Sequence, residues 1–95
     1  MMDQKPRLTV YKAINKSLIA WNIKNFFNIP VYYKWDQKRV PKINIKTGLI
    51  KLPFILVDYD SQKREWYIQY ININFEILSS TIDDITGTIS ITSNN

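Results

Sequence analysis

Cysteine and histidine are both absent from this chain of 95 residues. Their absence excludes a disulfide framework, a thiol nucleophile, a cysteine–histidine zinc site and a Ser-His-Asp triad. Glycine is almost as scarce, with two in the whole sequence. No glycine-rich phosphate loop can be built from them, so nucleotide hydrolysis finds no support. Long apolar runs are missing too. The longest, Leu52 to Val57, has the length of a buried strand, whereas a membrane-spanning helix needs roughly 18 to 20 residues. Met1 to Arg7 is polar and lacks the apolar centre of a signal peptide. The chain is therefore expected to be soluble and intracellular at synthesis, with no catalytic apparatus, resident metal or cofactor.

What is present suffices to fold. Hydrophobic residues make up 45% of the chain and aromatics 14%, which separates it from disordered sequences and fits one small domain. The net charge is +5, unevenly spread. Up to Lys51 there are eleven lysines and arginines against Asp3 and Asp36, a net of +9; from Leu52 onward Lys63 and Arg64 face six carboxylates, a net of −4. A basic half and an acidic half can meet within one fold or between copies of it.

Residues 1–8 hold little to bury, and Pro6 prevents an early helix, so they are expected to form a mobile arm ahead of a single domain over 9–95. With Thr9 as N-cap, Val10, Tyr11, Ile14, Leu18 and Trp21 recur at spacings of three and four and predict a helix over 9–27, closed before Pro30. A second apolar group, Ile19, Ile23, Phe26 and Phe27, falls away from that stripe. A helix apolar on two sides is either sandwiched inside its own fold or shared with a neighbouring chain, and with one long helix in the chain a neighbouring chain is the expected cover.

Past Pro30 the period becomes two. Val31, Tyr33 and Trp35 fall on one side of a strand, with Tyr32 and Lys34 on the other, and Ile43 and Ile45 alternate in a short second strand or loop arm. Leu52 to Asp60 reads as a central strand with Pro53 at its start, and Asp60 to Lys63 as a hairpin turn. A long strand over 65–78 follows, in which the apolar face shifts between Tyr70 and Ile71, so a bulge is expected there. Residues 81–85 form either a helical turn or the start of another strand, and Thr88 to Thr92 suits a sheet edge or pairing with another subunit. The fold class is α+β: an N-terminal helix packed on a mostly antiparallel sheet of four or five strands. Phe54, Leu56, Trp66 and Ile68 are expected in its core.

The carboxylates are the only candidates for acid–base work. Asp58 and Asp60, two apart on a strand, point to one side, but an Asp-rich strand end is also an ordinary turn signal. Asp83 and Asp84 read as a helix N-terminus or a loop pair. Lys34, Lys46 and Lys51, interleaved with Tyr32, Tyr33 and Trp35, are candidates for nucleic-acid contact, lysines tracking phosphates while rings stack on bases. No base-reading motif accompanies them.

The order of elements resembles that of the small tail-terminator or tail-completion proteins of long-tailed bacteriophages: an N-terminal helix, a Pro30-Val31-Tyr32 strand, a charged excursion, the LPFILVDYD strand at Leu52 to Asp60, a turn and a long amphipathic strand. The resemblance spans residues 8–78 and rests on element order rather than on catalytic residues. It implies a helix on an antiparallel sheet, subunits closed into a ring at the tail or head-tail junction, other tail or neck proteins as partners, and a place in the virion. On this reading Ile19, Ile23, Phe26 and Phe27 contact the next subunit, together with Lys38, Arg39 and Lys42 from a projecting loop. A small basic nucleic-acid-binding or host-takeover protein is the alternative.

Overall fold

The computed structural model describes residues 6–24, 29–35 and 52–94. The predicted arm up to Met1–Lys5, Phe26 and Phe27, the predicted strand at Ile43 and Ile45, and the cluster Lys38, Arg39, Lys42, Lys46 and Lys51 lie outside the described residues.

Helix α1 runs Val10–Ala20. Thr9 stays extended and its Oγ1 accepts the Lys12 amide at 3.2 Å, satisfying one of the donors that a first turn leaves open. The helix stops seven residues before the sequence expectation. Asn22 adopts φ 59, the left-handed conformation that asparagine tolerates better than most residues. There the Asn22 amide donates to the Ile19 carbonyl at 3.0 Å and the Ile23 amide to the Leu18 carbonyl at 2.9 Å. This is the paired closure of a Schellman motif, in which the second residue past the cap folds back on the helix. Ile23 thus leaves the helix and packs against the core of its own chain. The second helical stripe is therefore not formed as expected, since its members do not share one helix.

The strands are β1 Val31–Tyr33, β2 Phe54–Asp60, β3 Glu65–Ile71, β4 Ile77–Asp83 and β5 Ile89–Asn94. They pair in that order in one sheet; β1 runs parallel to β2 and every later pair is antiparallel. One helix on a five-stranded mixed sheet is an α+β fold, as expected. The long strand of the sequence reading is instead two strands joined by a tight hairpin. Asn72 Oδ1 accepts the amides of Asn74 and Glu76, each at 2.9 Å, while Phe75 takes φ 62. The shift of face between Tyr70 and Ile71 thus anticipates a turn, not a bulge. Residues 81–85 take the strand alternative, entering a turn only after Asp83.

Residues paired across antiparallel strands share a face. The inner face carries Ile55, Val57, Trp66, Ile68 and Ile82, which meet Ala13, Ile14 and Leu18 of the helix in one buried cluster. Ser17 and Ser80 are buried between the two layers, and their hydroxyls bond at 2.6 Å. Phe54 is buried but stands on the outer face, edge-on to Tyr32 with ring centroids 5.8 Å apart. Leu56, expected in the core, is half-buried on that same outer face because Ile55 and Val57 take the inward positions.

Candidate functional site

Three surfaces follow from this arrangement. The first is the outer face of the sheet near the β2–β3 turn. Asp60 pairs with Glu65 and Glu65 with Asp83, so three carboxylates stand abreast on neighbouring strands, with Asp58 one row behind. No lysine or arginine of β2 to β5 shares that face. Like charges directly opposite one another are unfavourable in a sheet. Some of the carboxylates are occupied locally. Asp60 Oδ1 accepts the amides of Gln62 and Lys63 at 3.0 and 3.1 Å and shapes the hairpin turn. Asp83 Oδ1 accepts those of Ile85 and Thr86 at 2.8 and 3.0 Å, and the Thr86 and Ile85 amides hold its carboxyl below the usual range. Glu65 accepts the Tyr67 hydroxyl at 2.7 Å and pushes the Tyr67 pKa up to about 12. Among the described residues no acidic cluster has the geometry to hold a metal ion.

The second surface is a groove of about 530 Å³ between α1 and the β1–β2 side of the sheet. Ile14, Leu18, Val31 and Ile55 form its floor, with Tyr11 and Lys12 among the residues that line it. Close by, Tyr33 and Trp35 stack with centroids 4.8 Å apart and planes 18° from parallel. Trp35 stays 55% exposed, and Lys34 beside it is exposed. Tyr32 does not join this stack, since it alternates to the outer face and packs on Phe54. The candidate nucleic-acid residues are thus divided between two sides of β1. Lys46 and Lys51 lie outside the described residues.

The third is interior. Asp84 is 2% exposed and accepts four donors: the Arg7 amide at 2.6 Å, the Leu8 amide at 2.8 Å, the Trp66 indole at 3.0 Å and, at 3.4 Å, the Tyr59 hydroxyl. Burial pushes this carboxyl up; the bonds from Leu8 and Arg7, then from Trp66 and Tyr59, outweigh it and hold the group below the usual range. Burial and then the Asp84 charge raise the Tyr59 hydroxyl. Asp83 ends β4 and Asp84 begins the turn after it, so the two are neither a helix N-terminus nor a loop pair. Arg7 and Leu8, expected in the mobile arm, are tied to the last hairpin. Nothing local in the sequence marks Asp84 as their anchor, because its donors come from up to 77 positions away.

Of the expected subunit contacts, Ile19 is 70% exposed and Ile23 packs on its own core. Comparison with protein-family models, curated proteins and solved structures finds no match for this chain.

Proposed function

We propose that this chain is a structural subunit acting through protein–protein contact: a ring-forming component of a bacteriophage tail terminator or head-tail junction, without enzymatic activity. The observation that carries the reading is the row Asp60, Glu65 and Asp83. Three carboxylates abreast on an outward sheet face cost the isolated fold stability, and a basic partner surface would recover it. The chain itself supplies such a surface. Lys12 and Lys16 are exposed on the helix layer, which covers the opposite side of the sheet, and the N-terminal half as a whole is basic. Copies stacked helix layer to sheet face would bring the two signs together in a heterologous contact, the kind that closes into rings. The resemblance to tail-terminator proteins over residues 8–78 adds to this through the helix, the first two strands and the turn after them, while the long final strand of that pattern is two strands here.

Light scattering and negative-stain electron microscopy of the full chain test this. Closed oligomers that dissociate as salt rises, and that Glu65→Lys disperses, are expected. A monomer at every concentration and salt would remove the reading.

The Tyr33–Trp35 stack beside Lys34 favours the second reading, nucleic-acid binding through base stacking. Fluorescence anisotropy with unrelated single- and double-stranded oligonucleotides separates the two. Binding that vanishes by physiological salt is electrostatic only; tight binding that persists there and is lost in Trp35→Ala would put nucleic acid first.

A further inference from the structure

We infer that the free edge of β5 is a self-pairing surface, on which a second copy of this chain adds its own β5 antiparallel to extend the sheet. Among the described residues β5 is the last strand in the order β1-β2-β3-β4-β5, and no other described strand pairs with its far edge. The Asp83 amide donates to the Thr88 carbonyl at 2.9 Å, which makes Asp83 and Thr88 a hydrogen-bonded pair. Bonded and non-bonded pairs alternate along an antiparallel ladder. With Ser90 opposite Thr81 and Thr92 opposite Ser79, the backbone groups of Ser90 and Thr92 turn toward β4, and those of Ile89, Ile91 and Ser93 turn outward.

Sheet edges of this kind are normally blunted by lysine, proline, a bulge or a covering element. None of the first two occurs between Ile89 and Asn94, and the register to β4 runs through Ile82↔Ile89 to Ile77↔Asn94 without a bulge. The segment is rich in β-branched residues and carries no charge. Ile91 is 53% exposed although its position faces the helix side of the sheet.

The absence of charge is what selects a second copy. A strand meeting itself in reverse places the residue on the axis opposite its own copy and the residues beside the axis diagonal to theirs, so a lysine or aspartate at or next to the centre would bring like charges together. Here a twofold axis at Ile91 sets Ile91 against Ile91 and Ile89 against Ser93. In that register every outward-turned residue is in a bonded pair, for about six new backbone hydrogen bonds. The two exposed Ile91 side chains cover one another on the helix side. Such a contact is isologous and closes at two. It is small by the standard of stable interfaces, so a dimer in the micromolar range is expected.

This inference shares with the proposed function the premise that copies associate, but it stands on a different surface. Sedimentation velocity on the full chain, from about 1 to 300 µM, reads it directly. A concentration-dependent dimer is expected, weakened tenfold or more in Ile91→Lys, whose folding is checked by circular dichroism. Register is tested independently of that variant, because the protein has no cysteine. Ser90→Cys and Thr92→Cys, made as separate variants and mixed, should form a mixed disulfide far faster than either forms with itself. Ser90 and Thr92 would face each other in a non-bonded pair at about 4.5 Å between Cα atoms, inside the range a disulfide spans. A dimer that stops at two supports the edge pairing without the ring. A larger oligomer indifferent to Ile91→Lys, a monomer throughout the range, or equal crosslinking in all three cysteine samples overturns it.

Discussion

Exchanging the Asp84 carboxylate for an amide would leave four donors facing one acceptor oxygen, with the new amide nitrogen directed at groups that also donate. Buried donors stripped of their acceptor cost about 1 to 3 kcal/mol each before relaxation. Asp84→Asn should therefore lose about 2 to 4 kcal/mol in thermal or denaturant unfolding, a large share of a small domain's stability. Hydrogen exchange at the Leu8 amide should accelerate with it. The carboxyls of Asp83 and Asp84 are held below their ordinary range in the fold. Their contribution is fully present above the unfolded aspartate value of about 3.9 and is lost as pH falls from there through the lower folded values. An acid titration followed by circular dichroism should show that loss, and Asp84→Asn should flatten it.

The tryptophans give a paired prediction. Trp66 donates its indole proton to Asp84, whereas the Trp21 indole nitrogen is buried without a partner among the described residues. Trp66→Phe should cost about 1.5 to 3 kcal/mol, the worth of a hydrogen bond to a charged group. Trp21→Phe should change stability by less than about 1 kcal/mol, because losing the unpaired donor offsets the smaller ring. Equal losses in the two melts would mean that packing, not the indole proton, decides both.

Among the elements, those whose period the sequence displays were legible: α1 apart from its end, β2, β3 and the β5 edge. The two misplaced boundaries share a cause. Apolar residues continue at helical spacing past Ala20, and at alternating spacing past Ile71, so hydrophobic period alone carries both elements onward. What ends them is backbone conformation at Asn22 and Phe75, neither a glycine, both at positive φ. The hairpin at 72–76 is made by the Asn72 side chain, so it shows none of the glycine signals by which short hairpins are usually read. Phe75 sits there against its own steric preference and is 50% exposed. Phe75→Gly should therefore stabilise the protein by about 0.5 to 1 kcal/mol, a rise of a few degrees in a thermal melt. A fall would show that the ring contributes more contact than the strain removes.

For the molecule as a whole, charge was legible as a division between halves, but not as a division between layers. Only the register sets Asp60, Glu65 and Asp83 abreast and puts Lys12 and Lys16 on the far side of the sheet. Repulsion within that row is screened by salt. Held dilute enough to remain monomeric, the protein should melt at a higher temperature as salt rises from about 20 to 200 mM, and Glu65→Gln should remove much of that dependence. The same substitution should let the Tyr67 hydroxyl titrate nearer 10 than 12, which an NMR titration of its ring carbon would resolve. The candidate site was less legible than the fold. Alternation placed Tyr32 on the side away from Tyr33 and Trp35, but not against Phe54, and no local pattern connects Arg7 to Asp84.

That last connection has a consequence in time. Arg7 and Leu8 are made before their acceptor, which is 77 and 76 positions downstream. At about 5 to 20 residues per second, several seconds of synthesis separate donor from acceptor. The segment that carries them must wait, undocked, until the β4–β5 turn has left the exit tunnel, and the staple that fixes the entry to α1 belongs among the last contacts to form. Contacts absent from the folding transition state govern unfolding more than folding. Loss of this one should leave the folding rate nearly unchanged and let the finished protein open sooner.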